Sequence, residues 1–329
     1  MGVYHGEENI MIRTRRLRGS ERLRRMTRET RLSADALIYP LFVREGRGIE
    51  EDLPALPGQI RYSPDTVVKS IEAAVNAGVR SILIFGIPKT KDEYGAGAYA
   101  EDGVVQQALI NAKKALGNDV LFVTDVCLCE YTSHGHCGLV HDNKIDNDAT
   151  LPLLARTALS HVRAGADVIA PSGMMDGTVA ALRAALDADG FENIPIMSYA
   201  AKYASAFYGP FREAAGCAPQ FGDRKTYQMD FHNGREALQR IEIDIKEGAD
   251  IVMVKPALPC LDIISRAARM IKTPLAAYSV SGEYAMIKST GDYNIMCESA
   301  VAVFRAGADI LITYFAKELA QAIKKGDIG

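Results

Sequence analysis

From Leu37 onward the chain alternates short, almost uninterrupted runs of aliphatic and β-branched residues with longer segments of helical periodicity. The apolar runs cover residues 37–43, 81–86, 120–126, 167–171, 196–199, 251–254, 275–280 and 310–313. Unbroken apolar runs are expected of parallel strands buried on both faces, whereas a half-solvated strand alternates. Between them lie helical patterns, among them 65–77, 104–116, 152–164, 179–188, 235–247 and 299–306. Four joints repeat one local code: Ala77-Gly78-Val79, Ala164-Gly165-Ala166-Asp167, Glu247-Gly248-Ala249-Asp250 and Ala306-Gly307-Ala308-Asp309. Each reads as a helix stopped by a glycine in the left-handed cap, with a strand following at once. Eight strand signals with helices between them and no linker predict an α/β fold, a single (β/α)8 TIM barrel, over a doubly wound open sheet. The barrel is expected over residues 35–329, preceded by an extended N-terminal arm, residues 1–34, for subunit contacts.

The arm is set apart by charge. Arg13, Arg15, Arg16, Arg18, Arg22, Arg24, Arg25, Arg28 and Arg31 crowd one segment with few acids. A basic arm can bind nucleic acid or anionic lipid. This one lacks interleaved aromatics and belongs to a chain of net charge −3, so it reads as an arm that packs on a neighbouring subunit. The 329 residues are 48% hydrophobic and 24% charged, as for a globular chain with a substantial core. Without an apolar leader or an apolar run of about 18 residues, the expectation is a cytoplasmic protein bound to no membrane. Six cysteines in such a chain suggest metal binding or catalysis before disulfides.

A barrel places its chemistry at the carboxyl ends of its strands. Beyond the third run stands Asp125-Val126-Cys127-Leu128-Cys129, and beyond the fourth Ser172-Gly173. The fifth leads to Lys202, the sixth to Lys255, the seventh to Ser281 and the eighth to Tyr314. A lysine ending an apolar strand is costly to bury unless paired or neutral. Burial and a second ammonium both lower its pKa, and a neutral amine there can attack a ketone to form a Schiff base. Taken singly, each lysine could equally reach out to solvent. Cys127 and Cys129 point to one side of an extended segment, and Cys137 follows in a loop rich in Gly and His. Three thiolates suit zinc with an open fourth position, which His134 or His136 could close. Cys217, Cys260 and Cys297 look scattered, and Cys297 reads as core. Residues 203–230 carry Gly, Pro and charge without periodicity, as in an active-site lid, with Arg212 and Arg224 able to clamp a carboxylate.

Three segments together resemble the 5-aminolevulinate dehydratase (porphobilinogen synthase) family. They are the run from Asp125 through Cys127, Cys129, His134 and His136 to Cys137-Gly138, the run from Ser198 through Lys202 to Arg212, and Met253-Val254-Lys255-Pro256-Ala257. The resemblance spans about Arg15 to the C-terminus. It implies a homo-oligomeric barrel enzyme, usually an octamer, whose arm embraces a neighbour, and which condenses two 5-aminolevulinate molecules to porphobilinogen in tetrapyrrole (heme) synthesis. It implies a Schiff base of Lys255 with the first substrate and of Lys202 with the second. Ser281 and Tyr314 would bind the first carboxylate, Arg212, Arg224 and Gln228 the second substrate, and Asp125 and Ser172 would line the site. The three cysteines would hold zinc. The family pattern is broken at Cys260, where Tyr is usual, and at Gly173, where Asp is common. The stretch from Gly282 to Asp309 looks short, which predicts a trimmed seventh helix. Arg240 stands where some bacterial members use a glutamate for an allosteric magnesium, so no such magnesium is expected. A class I aldolase-like barrel and a non-catalytic metal-binding regulator are the rival readings. The second lysine argues against the former, and the retained lysines and arginines against the latter.

Overall fold

The computed structural model describes residues 12–329, and the chain divides into two units, Met1–Arg31 and Leu32–Gly329. In the first unit a 3-10 turn at Thr14–Arg18 is followed by a short helix at Glu21–Met26. Ser20 caps that helix by accepting from the Leu23 amide at 3.2 Å. Residues 1–11 of the expected arm lie outside the described residues.

In the second unit, eight parallel strands form in the order read from the hydrophobic pattern. They are β1 Leu37–Arg44, β2 Ser81–Ile87, β3 Leu121–Val126, β4 Val168–Pro171, β5 Met197–Lys202, β6 Ile251–Lys255, β7 Leu275–Ser279 and β8 Ile310–Thr313. Each pairs with its sequence neighbour, and β1 pairs with β8 through Leu37–Leu311 and Ile38–Ile312. A single parallel bridge, Ile169–Ile196, closes the ring between β4 and β5. This is a (β/α)8 barrel, and the closed sequential order excludes the open doubly wound sheet. The strands are buried almost end to end because helices cover the face that does not fill the barrel, which is why their sequences do not alternate.

The outer helices are α1 Val67–Ala77, α2 Val104–Leu116, α3 Asn147–Arg163, α4 Thr178–Ala188, α5 Gly234–Lys246, α6 Leu261–Met270, α7 Ser281–Thr290, α8 Tyr293–Ala306 and α9 Ala316–Lys325. The four glycine joints adopt the expected conformation, with φ of 103° at Gly78, 109° at Gly165, 106° at Gly248 and 118° at Gly307. A side chain there would clash with the following carbonyl, so glycine ends the helix and turns the chain into the next strand. The stretch expected to hold a trimmed seventh helix carries two helices, α7 and α8, separated at Gly291, which takes the left-handed cap. Cys297 is buried within α8, as its apolar context suggested. No helix among the described residues is long and apolar enough to cross a membrane.

Candidate active site

Lys202 and Lys255 end adjacent strands and are register partners. Both are 5% exposed, so neither side chain reaches solvent. Lys202 Nζ donates to the Ser172 carbonyl at 2.6 Å, and Ser172 Oγ donates to Asp125 Oδ2 at 3.0 Å. Lys255 Nζ has no hydrogen-bond partner among the described residues and sits among rings, 4.2 Å from the Tyr278 centroid and 5.0 Å from that of Tyr199. Tyr199 also lies under Lys202 Nζ, at 5.6 Å, so one ring supports both amines. Burial, and then the neighbouring Lys202 charge, push the Lys255 amine down to about 7. Burial, and then Glu130, push the Asp125 carboxyl up to about 7, against the opposing pull of both lysines and Ser172. An acid and an amine that share one range can exchange a proton at small cost.

The three loop cysteines converge beside this pair. Cys127, Cys129 and Cys137 are buried with their sulfurs within 4.8 Å of one another, and Cys127 and Cys129 stand 3.4 Å apart. The contacts with Cys129 and Cys137, followed by burial, raise the Cys127 thiol well above its ordinary range. Such thiols cannot ionise together without a cation among them, so the donor set fits a thiophilic divalent ion. Neither candidate imidazole joins them. His136 spends Nδ1 on Tyr227 Oη and Nε2 on the Phe221 carbonyl, both at 3.0 Å, while His134 Nδ1 accepts from the His136 amide. The expectation that Cys217 is scattered is corrected. Its sulfur, that of Cys129 and a Glu130 carboxylate oxygen also lie within 4.8 Å of one another. Gly173 leaves the loop after β4 in ordinary contact range of Cys137, since a Cβ there would stand 3.5 Å from the Cys137 carbonyl.

Residues 203–230 fold over the barrel mouth. A short helix, Gly209–Ala214, is held by Ser281, whose hydroxyl accepts from the Phe211 amide at 3.0 Å and donates to the Phe207 carbonyl at 3.1 Å. A Cβ on Gly282 would stand 2.6 Å from that same carbonyl, so glycine there is what lets the segment settle. Arg224 Nη2 donates to the carbonyls of Gly135 (2.8 Å) and Cys217 (2.5 Å), tying the segment to the cysteine loop. The space left beneath it, bounded by Asp125, Cys129, Glu130, Ser172, Lys202 and Lys255, is about 10 Å³, room for about one water. The lid is therefore closed too tightly for a substrate to sit beneath it.

The other expected binding groups surround this space without lining it. Tyr314 is buried beside Tyr278, with hydroxyls 3.4 Å apart. Arg212 donates from Nη2 to the Ser205 carbonyl at 3.3 Å. Gln228 lines a groove of about 910 Å³ beyond the lid, and its amide oxygen and nitrogen are both buried without a partner. Such unpaired groups cost stability unless a ligand satisfies them. Arg240 pairs with Asp176 at 2.7 Å and with Asp244 at 3.3 Å. Sequence reasoning passed over Glu130, Cys217, Tyr199 and Glu283. The buried Glu283 carboxylate accepts from the amides of Val280 (2.7 Å), Leu258 (2.7 Å) and Ala257 (3.3 Å), so it clasps the loop after Lys255 to the turn that carries Ser281. The sequence hinted at it only through a glutamate at the third position of a helix, from which it can accept the N-cap amide, here that of Val280.

Residues 11–322 match the family model described as delta-aminolevulinic acid dehydratase. The chain belongs to the delta-aminolevulinic acid dehydratase family. It is 52% identical over 316 residues to the delta-aminolevulinic acid dehydratase of Methanothermus sociabilis, covering 94% of this chain and 98% of that protein. It is also 52% identical over 318 residues to that of Archaeoglobus fulgidus, covering 95% and 98%. The crystal structure of the Toxoplasma gondii delta-aminolevulinic acid dehydratase (porphobilinogen synthase), in complex with its reaction product porphobilinogen, superposes with a TM-score of 0.92 at 40% identity, over 95% of this chain and 92% of that one. As a member of the dehydratase family, the chain is an enzyme, and its barrel is the family's barrel.

Proposed function

We propose that this enzyme condenses two molecules of 5-aminolevulinate to porphobilinogen in tetrapyrrole (heme) synthesis, forming one Schiff base at Lys255 and another at Lys202. The observation that carries this is the buried, register-paired lysines, one of them with its amine near 7. At each lysine the amine nitrogen attacks a substrate ketone carbon, a C=N bond forms and the ketone oxygen leaves as water. Asp125 can lend the proton that water needs and recover it afterwards, because its carboxyl titrates in the same range. Two covalent anchors on neighbouring strands turn an encounter of two molecules into an oriented reaction within one site. Ser281 and Tyr314 would hold the first carboxylate, while Arg212, Arg224 and Gln228 hold the second substrate once the lid admits it. The unpaired Gln228 amide supports that assignment.

In this reading Cys127, Cys129 and Cys137 hold zinc, which supplies a Lewis acid beside the second substrate. No allosteric magnesium accompanies it. The Arg240 guanidinium, paired with Asp176 and Asp244, already brings a cation to that position and has no lone pair for a metal. The separate N-terminal unit, with Ile12, Leu17 and Met26 exposed, supports an arm for contacts in a homo-oligomer, an octamer in this reading. The partners are thus the substrate and further copies of the chain in the cytoplasm, with neither nucleic acid nor membrane.

Borohydride reduction in the presence of 5-aminolevulinate, followed by peptide mass spectrometry, tests the central claim. Adducts at both Lys202 and Lys255 are expected. An adduct at one lysine alone points to the aldolase-like reading, and none at all to a binding protein. Added magnesium is expected to leave activity at fixed zinc unchanged.

A further inference from the structure

Two buried donors next to the reacting lysines, Glu130 and Cys217, have no role in the condensation or in the three-cysteine set. Glu130 is 3% exposed, and the hydrogen bond its carboxylate makes is with the Cys129 thiol, at 3.2 Å from Oε2. Among the described residues no Lys, Arg or His nitrogen forms an ion pair with it. A buried carboxylate without a cationic partner is costly, and proteins resolve that with a cation or a shared proton. The nearby Arg224 guanidinium forms no ion pair with Glu130: its Nη2 goes to two carbonyls, and its charge acts on the Cys217 and Cys129 sulfurs. Cys217 approaches from the lid. Its sulfur, the Cys129 sulfur and a Glu130 oxygen lie within 4.8 Å of one another, and all three residues are buried.

We infer that Cys129, Glu130 and Cys217 form a second subsite for a thiophilic divalent cation of the zinc class, joining the closed lid to the loop after β3. Two sulfurs and one carboxylate oxygen select a borderline ion over magnesium or calcium, which prefer oxygen throughout. Cys129 belongs to both sets, and a thiolate sulfur has lone pairs enough to bridge two cations. The donors come from separate parts of the chain, so the subsite is complete only when the lid is down. Cys217 is fixed there through its backbone, with its amide donating to the Arg212 carbonyl (3.0 Å) and its carbonyl accepting from Arg224. The ion would neutralise Glu130 and hold both lid arginines in place. Opening the lid withdraws Cys217, so binding at this subsite and lid closure favour one another.

The second subsite rests on the zinc reading of the Cys127–Cys129–Cys137 set, and one experiment separates the two. The full-length enzyme is loaded with Zn²⁺, desalted and assayed for metal per chain, alongside Cys217→Ser, Glu130→Gln and Cys127→Ser. Alkylation of Cys217 by iodoacetamide is followed by peptide mass spectrometry before and after chelation. About two ions per chain are expected, falling to about one in Cys217→Ser and in Glu130→Gln, with Cys217 protected by zinc in the unmodified enzyme. One ion per chain that is lost in Cys127→Ser but unchanged in Cys217→Ser and Glu130→Gln, with Cys217 alkylated equally with and without zinc, overturns the second subsite and leaves the first intact. No bound zinc in the unmodified enzyme overturns both. Because alkylation is read in the unmodified chain, a variant that fails to fold does not rescue the idea.

Discussion

Replacing Lys202 by Met should make Lys255 a worse nucleophile at neutral pH, although no atom of Lys255 changes. The Lys255 amine lies at about 7 against an ordinary 10.5, a depression worth about 5 kcal/mol. Burial is its largest cause and the Lys202 charge the second. The two side chains leave register-paired positions on strands about 4.8 Å apart, where a like charge at an effective dielectric near 20 contributes about 1–3 kcal/mol. Removing it favours the ammonium form, so the Lys255 pKa rises by about one to two units. Asp125 and Glu130, which already pull in that direction, are then opposed by burial alone. The neutral fraction at pH 7 should fall about 5- to 50-fold, and the acid limb of Lys255 adduct formation should move up by the same one to two units. Borohydride trapping with 5-aminolevulinate across pH 5.5–9, read at the Lys255 peptide, measures this, since Lys255 is the one lysine left of the register pair. A limb that stays at about 7, or moves down, refutes the electrostatic account and leaves burial as the whole cause.

Other outcomes follow from the same geometry. Cys129→Ala removes a sulfur from the metal set, so bound zinc and porphobilinogen formation should both fall by at least about 100-fold while circular dichroism stays that of the barrel, whose core does not depend on the ion; activity that survives both this change and chelation contradicts the zinc reading. Gln228→Leu deletes two buried unpaired polar atoms, so stability should rise by about 1–3 kcal/mol in urea titration while KM rises about tenfold or more. A destabilised variant with unchanged KM would mean that the amide has a structural partner instead. Glu283→Ala strands three amide donors, at a cost of about 3–5 kcal/mol, and should lower kcat by loosening Lys255 from Ser281. Glu283→Gln keeps one acceptor and should recover part of both losses, and equal damage in the two variants would count against the clasp.

The sequence by itself carried the barrel. Strand runs, helix periods and glycine stops are local: each is set by sterics and burial within a few residues, so eight strands could be placed within a residue or a few of where they lie. Once strands run parallel and in order, a residue just past an apolar run must emerge at the carboxyl rim. That is why Lys202, Lys255, Asp125 and the three loop cysteines could be gathered before any coordinate. Their environment was not legible in the same way. Cys217 stands 80 residues beyond Cys137 in the sequence, in a segment without period, and only the fold of the lid brings its sulfur to Cys129. Glu130 was in plain view within the cysteine run, but its lack of an ion pair among the described residues depends on where Arg224, Lys202 and Lys255 come to rest. The Tyr199 ring between the two amines, the Glu283 clasp and the break between α7 and α8 are likewise decided by packing across the barrel rim. Periodicity fixes which face of an element is buried, whereas the partners met there depend on loop paths that many weak contacts select together.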